Sequence, residues 1–223
     1  MICASWHLVI EPDEILITEI FYSLQGETTL AGVPFAFVRL TGCNLRCTYC
    51  DTAYAFKGGV KMRISEILAK VRAYGVHHVL LTGGEPLLQR NTPALLSALK
   101  SEGFDVSIET HGELPLDRYA GQARLIMDIK TPSSGMCRGG FRQNLRLLGP
   151  SDEIRFVIAS QADYFWARNL LLNEKMPKVA AVLFSPVMQA AHAPGKYEGV
   201  PPALLAERLL EDHGPARMQL QLH

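Results

Sequence analysis

Three cysteines stand within eight residues, in the stretch CNLRCTYC that runs from Cys43 to Cys50, and the chain holds only two others, Cys3 and Cys137. Thiolates this close suit a metal or a cluster better than a disulfide framework, because five is an odd number and a framework spreads its cysteines along the chain. A closed structural zinc site takes four ligands, often as two cysteine pairs or as a pair plus two histidines. Neither Cys137 nor the histidines carry the second half of such a pattern. A cube of four irons takes one thiolate per iron, so three cysteines leave one iron without a protein ligand and open to something else.

The elements that must hold these thiols follow from size and pattern. The 223 residues are enough for one domain with a full hydrophobic core, and no composition shift or linker marks a second, so residues 1–223 read as a single domain. Hydrophobic residues make up 48% and charged residues 20%, which excludes the disordered and fibrous classes. The 22 basic residues balance the 22 acidic ones, so no global positive field favours nucleic acid, and a small-molecule partner is expected. The longest uncharged run, Val179 to Gly195, is broken by Pro186, Gln189, His192 and Pro194 and does not span a bilayer. The start MICASWHLVIEPDE lacks the layout of a secretory signal, and a reducing cytoplasm is the expected compartment.

Apolar runs rich in β-branched and aromatic residues predict strands at 35–40, 77–82, 104–109, 124–130, 153–159, 178–184 and 218–222. Between them lie helical patterns. Ile64, Ile67, Leu68 and Val71 follow one helical face with Gly75 as the stop. Thr92 reads as an N-cap before Pro93, with Gly103 ending that helix. Ser160 with Asp163 opens a third helix, and PALLAERLLED supplies a fourth. Strand, helix, strand repeated in this way implies parallel strands with right-handed crossovers. About six such units are too few for a closed eight-unit barrel, so the expected fold is α/β, a partial, open parallel β/α barrel.

Polar punctuation falls just after the strands, in TGC, TGGEP, ETHG, DIKTP and FSPV. Ligands bind at the carboxyl ends of parallel strands, which places all the candidate chemistry on one rim. There the cysteine octet, with Tyr49 ahead of its last cysteine, resembles the cluster loop of the radical S-adenosylmethionine superfamily. The resemblance implies a [4Fe-4S] cluster on Cys43, Cys47 and Cys50, with S-adenosylmethionine on the open iron through its amino and carboxylate groups. It also implies cofactor contacts from Tyr49, Cys50 and Asp51 in the loop and from Gly83, Gly84 and Glu85 in TGGEP, whose backbone would receive the methionine amino group. Glu109 would hold ribose hydroxyls. Lys130, Ser133, Ser185 and Pro186 occupy the later rim positions.

The stretch FYSLQGETTLAGVPFAFVRLTGCNLRCTYCDT is more specific, and from about Glu19 onward the chain resembles the 7-carboxy-7-deazaguanine synthase family. That resemblance implies a carbon–nitrogen lyase acting on 6-carboxy-5,6,7,8-tetrahydropterin in queuosine and 7-deazapurine biosynthesis. It implies a pterin site of Leu24, Gln25, Gly26, Glu27, Arg39, Thr82 and His223, and magnesium on Thr52. It further implies an electron donor such as flavodoxin and a homodimer. Residues 1–14 then form an N-terminal extension, 15–34 a substrate-binding segment and 35–223 the partial barrel. Arg155 is expected as a rim cation, and His111 near the cofactor rim. Two alternatives stand beside this reading: a zinc-stabilised α/β nucleotide-binding module, and a radical enzyme that activates a protein partner.

Overall fold

A computed structural model describes residues 11–187, 199–214 and 216–222. Among these residues nine strands form one open sheet in the order β3-β1-β2-β4-β5-β6-β7-β8-β9. Six consecutive parallel strands make its centre: β2 (Pro34–Leu40), β4 (His78–Gly83), β5 (Asp105–Thr110), β6 (Arg124–Asp128), β7 (Glu153–Ile158) and β8 (Ala181–Pro186). This is the six-unit arrangement that the sequence implies. β9 is only Arg217–Met218, also parallel to β8, so of the strand expected over 218–222 only Met218 lies in a strand.

The sheet is not all parallel. β1 (Glu14–Leu24) runs antiparallel to both β2 and β3 (Val60–Arg63), so β1 and β3 are a two-stranded addition on one side. The segment expected only to bind substrate is thus a strand for its first half. Its turn back into β2 puts Leu24 beside Pro34, at the amino end of the parallel strands and away from the cysteine loop.

Five helices among the described residues connect the strands: α1 (Ile64–Ala73), α2 (Thr92–Ser101), α3 (Phe141–Leu145), α4 (Gln161–Asn173) and α5 (Pro202–Asp212). Ile67 and Val71 of α1, Leu95 and Leu99 of α2, Phe141 of α3, Ala167 of α4 and Leu205 of α5 all pack with Ala36, Val38, Val79, Leu81 and Ile108 of the sheet. The helices therefore share one sheet face, as in a barrel. A fully buried pair of leucines such as Leu95 and Leu99 contributes roughly 3–6 kcal/mol of apolar burial, far more than the weak intrinsic preference of a ten-residue helix. Gly75 and Gly103, at φ +67° and +86°, follow α1 and α2 in the left-handed conformation that a side chain resists. Ser160 Oγ accepts from Asp163 N and caps α4 as expected. In α2 the cap is displaced by one residue: Asn91 is the N-cap, and Thr92 begins the helix with its hydroxyl donated to Pro86 O at 2.5 Å.

The other face carries Phe35, Phe37 and Leu80 packed against Phe21, Leu30 and Val33, and beyond them a row of polar side chains. No helix among the described residues is long and apolar enough to cross a membrane.

Candidate functional site

The loop from Thr41 to Thr52 leaves β2 and is fastened at several points. Leu45 is buried under it. Arg46 stacks 4.3 Å over the Phe56 ring and donates to the carbonyls of Cys43 (2.7 Å) and Leu45 (2.6 Å). Thr48 Oγ1 donates to Ser133 O and Thr48 N to Ser134 O, while the Tyr49 hydroxyl meets Thr131 Oγ1 at 3.2 Å. These bonds tie the loop to the turn after β6. Cys43, Cys47 and Cys50 are each partly buried on it. Burial raises all three thiols, Cys47 to about 11, and Cys47 feels both Cys43 and Cys50 electrostatically. Among the described residues no three His, Cys, Asp or Glu side chains gather as ligands of one metal ion. A four-iron cube asks for a different layout, one thiolate per iron.

The Gly-Gly turn after β4 sits against the base of this loop. Gly84 N donates to Leu40 O at 3.2 Å and Glu85 N to Gly42 O at 2.8 Å. A Cβ on Gly84 would stand 2.2 Å from Gly42 O, and one on Gly83 would stand 2.1 Å from Leu40 O. With the N–H groups of Gly84 and Glu85 taken, the turn has carbonyl oxygens left to offer, which are acceptors for an ammonium.

The Glu85 side chain is wholly buried and does not project into the open. It accepts from Leu87 N, Thr110 Oγ1 and His111 N, and burial raises it to about 7. His111 lies beside it: Glu113 N donates to His111 Nδ1 at 3.0 Å, so the proton is on Nε2, which reaches Asn44 Oδ1 at 2.9 Å and Glu85 Oε2 at 3.2 Å. His111 therefore braces the cysteine loop through Asn44. Burial and the Lys130 charge hold its pKa near 3, below the ordinary 6.5. A depressed histidine contributes stability that is present above 6.5 and lost as pH falls towards 3. Glu85 acts in the opposite sense, stabilising below 4.5 and losing that effect as pH rises through about 7. In urea unfolding of the apoprotein, His111→Gln is expected to lose less stability than wild type on acidification from pH 6.5. Equal losses in the two proteins would show that His111 is not the titrating group.

Along the inner face Arg39 and Thr82 are register partners, and Thr82 Oγ1 donates to Glu109 Oε2 at 2.8 Å. Glu109 is raised by burial and by Asp128 and Asp51, against the Thr82 hydroxyl and Arg39, so these groups surround it. Arg39 Nε pairs with Glu19 at 2.6 Å, leaving Nη1 and Nη2 without partners among the described residues. Asp128, raised by burial, accepts from Lys130 Nζ at 3.1 Å. Burial works against the Lys130 charge, yet Asp128, Cys47 and Tyr49 outweigh it and raise the lysine. Arg155 is not a rim cation: it is buried in the sheet interior, gives Nε and Nη2 to Asp128 Oδ2 and pairs Nη1 with Glu27. A lone cation in an apolar strand gave no hint of carboxylate partners 27 and 128 residues earlier.

Gln25 is buried, and its Oε1 accepts from Glu27 N. The C-terminal segment fastens this region: Gln219 exchanges two bonds with the Thr28 backbone, Gln221 Nε2 donates to Glu27 and Leu222 N to Gly26 O. Leu24, by contrast, is exposed at 58% and stands apart from the inner row. Thr52 does not cap the turn that follows it; its hydroxyl donates to Asp51 Oδ1 at 2.6 Å. Ser133 bonds Ser160 Oγ and takes Asp163 Oδ1 at its backbone N. Ser185 and Pro186 end β8 in buried positions, and the Ser185 hydroxyl has no partner among the described residues. His223 and Cys3 lie outside the described residues. Three thiols near enough to feel one another, the Lys130 charge beside them and a Ser185 hydroxyl with no partner among the described residues fit a cluster with a polar organic cofactor on the same rim.

Comparison with known proteins agrees. Residues 37–154 match the radical SAM superfamily model. The chain is 46% identical over 210 residues to the 7-carboxy-7-deazaguanine synthase of Chlorobaculum tepidum, covering 93% of this chain and 91% of that one. It is 45% identical over 215 residues to that of Koribacter versatilis, covering 93% and 94%. Its fold superposes on QueE from Escherichia coli with a TM-score of 0.73 at 24% identity, over 94% of this chain and 95% of that chain. Streptococcus suis SuiB bound to S-adenosylmethionine matches with a TM-score of 0.57 at 15% identity, over 81% and 48%. The chain belongs to the 7-carboxy-7-deazaguanine synthase family of the radical SAM superfamily, whose enzymes work with a [4Fe-4S] cluster and S-adenosylmethionine.

Proposed function

We propose that the chain converts 6-carboxy-5,6,7,8-tetrahydropterin to 7-carboxy-7-deazaguanine and ammonia. The observation that carries this reading is the inner polar row, Arg39, Thr82 and Glu109 with Gln25 and Glu27, on the face of the sheet that the cysteine loop crowns. The net change is loss of ammonia, so the reaction consumes no oxidant. When bound, the cluster and S-adenosylmethionine supply an electron and the abstraction of a hydrogen atom.

The chain supplies placement. Cys43, Cys47 and Cys50 hold the cluster, and the carbonyls of the Gly83–Gly84 turn accept the methionine ammonium. Glu109 takes ribose hydroxyls, while Lys130, Ser133 and Ser185 face the remaining polar groups, with Tyr49, Asp51 and Pro186 along the same rim. The free Nη1 and Nη2 of Arg39 form a fork that suits the substrate carboxylate. Gln25 and Glu27 offer an amide and a carboxylate to the donor and acceptor edge of the pterin. Phe35, Phe37, Leu30 and Val33 exclude water beneath it, which protects a carbon radical from stray hydrogen donors. Residues 15–34 thus serve as the substrate segment of one domain whose remainder holds the cofactors.

Magnesium belongs to the same reading, on Thr52, whose hydroxyl is not taken up as a helix cap. Magnesium keeps several waters and needs few protein oxygens, so one hydroxyl with the substrate carboxylate suffices. Thr52→Val is expected to raise the magnesium concentration for half-maximal rate about tenfold while S-adenosylmethionine binding stays unchanged. An unaltered magnesium curve would remove Thr52 from the site. A flavodoxin-type electron donor and a homodimer complete the reading, supported by the family resemblance.

The test is anaerobic incubation with S-adenosylmethionine, a reductant, magnesium and the pterin, followed by mass spectrometry. 7-Carboxy-7-deazaguanine supports the assignment. Formation of 5'-deoxyadenosine without it would keep the radical chemistry and reject this substrate.

A further inference from the structure

We propose that Arg155 is a positioning residue for substrate recognition, holding the Glu27 carboxylate aimed at the donor edge of the pterin. The inference rests on the pterin reading above. The guanidinium is buried on β7 at 7% exposure and is gripped from two sides. Its Nε (3.1 Å) and Nη2 (2.7 Å) both reach Asp128 Oδ2, which fixes the plane of the fork, and its Nη1 is left to meet Glu27 Oε2. The second Glu27 oxygen accepts from Gln221 Nε2. One carboxylate oxygen is thus held by a strand of the sheet and the other by the C-terminal segment.

A carboxylate buried without a cation takes up a proton, and then it is no longer acceptor-only. The aminopyrimidinone edge of a pterin presents two parallel N–H donors, which need an ionised carboxylate in a fixed plane. Arg155 touches neither reacting atoms nor cofactor in this arrangement. It acts through Glu27, and Asp128 is its anchor. A lysine at this position keeps the charge but loses the fork, so it cannot fix Asp128 and Glu27 in one plane.

The experiment compares Arg155→Lys, Arg155→Met, Glu27→Gln and the double variant Glu27→Gln/Arg155→Lys in the reconstituted enzyme. Arg155→Lys is expected to raise the KM for the pterin about tenfold with kcat within about threefold, because a uniform binding contact is weakened. The KM for S-adenosylmethionine and the slow formation of 5'-deoxyadenosine without pterin stay at wild-type values. Arg155→Met raises the pterin KM further, and circular dichroism checks its fold. If it does not fold, Arg155→Lys and the double variant carry the test alone. In the Glu27→Gln background Arg155→Lys adds less than about a twofold change, the non-additivity of residues that act as a unit. An unchanged pterin KM in Arg155→Lys, an equal rise in the KM for S-adenosylmethionine, or full additivity in the double variant would overturn the proposal. A wild-type enzyme that turns over no pterin would instead reject the functional reading itself, before any variant is compared.

Discussion

Cys47→Ala protein, reconstituted anaerobically with iron and sulfide, is expected to retain only a small fraction of the wild-type iron, to lack the broad absorption of a cubane cluster and to form no product. The size of the effect follows from the ligand count. In the proposed site three thiolates serve three of four irons, so removing one leaves two irons without a protein ligand, and a cluster held by two bonds exchanges readily with solvent. Among the described residues no spare thiol replaces it. Cys137 sits among Glu113, Arg142 and Asp163, whereas Cys47 sits among Lys130, Asp128 and its two partner cysteines. Cys137→Ala is accordingly expected to keep wild-type iron and activity. The loop itself stays in place in Cys47→Ala, because Arg46, Thr48 and Tyr49 fasten it through bonds that do not involve sulfur. Circular dichroism of the apoprotein therefore matches wild type. A Cys47→Ala enzyme that kept its iron and its turnover would remove the three-cysteine site.

How much of this site the sequence shows depends on the range over which each feature is encoded. The parallel strands are legible because both faces of each are covered, so VLL in β4, LIM in β6 and FVI in β7 read as continuous apolar runs. The cysteine loop and the Gly-Gly turn are legible because their chemistry is local. β1 is harder: EILITEIFYSL alternates only in its first half and then turns exposed, as suits a strand flanked by β3 and β2 outside the parallel core. The partners of Arg155, His111 and Glu85 are illegible in the sequence for a common reason. Each is a polar side chain whose partners come from other strands or loops, and burial with such partners leaves no mark in the flanking residues. Glu85 follows the Gly-Gly pair and reads as a cofactor contact, and nothing in the flanking residues shows that its carboxylate also anchors Thr110 and His111. The α2 cap shifts from Thr92 to Asn91 because the Thr92 hydroxyl has Pro86 O to bond, again a contact outside the helix.

Gly84→Ala is expected to be nearly as damaging as loss of a cysteine, although it removes no functional group. The alanine Cβ would lie 2.2 Å from Gly42 O, 2.6 Å from Gly42 C and 2.9 Å from Cys43 Cβ. Two of these are backbone atoms, so no rotamer change relieves the overlap. The turn and the loop must separate, and that strains the bonds from Gly84 N to Leu40 O and from Glu85 N to Gly42 O. Overpacking of this kind costs about 1–3 kcal/mol, which an apoprotein with this core tolerates. Function is expected not to tolerate it, because the displaced atoms belong to Cys43 and to the turn proposed to receive the methionine ammonium. A shift of about 1 Å in a positioning element costs on the order of a hundredfold in rate. The expected result is a folded protein with reduced iron retention, weakened S-adenosylmethionine binding and a product rate down about a hundredfold. Gly214→Ala, where a Cβ meets nothing within 4 Å, serves as the silent control. Wild-type iron content and cofactor affinity in Gly84→Ala would mean that the turn and the cluster loop move independently, and the close approach of Gly84 to Gly42 would then have no part in building the site.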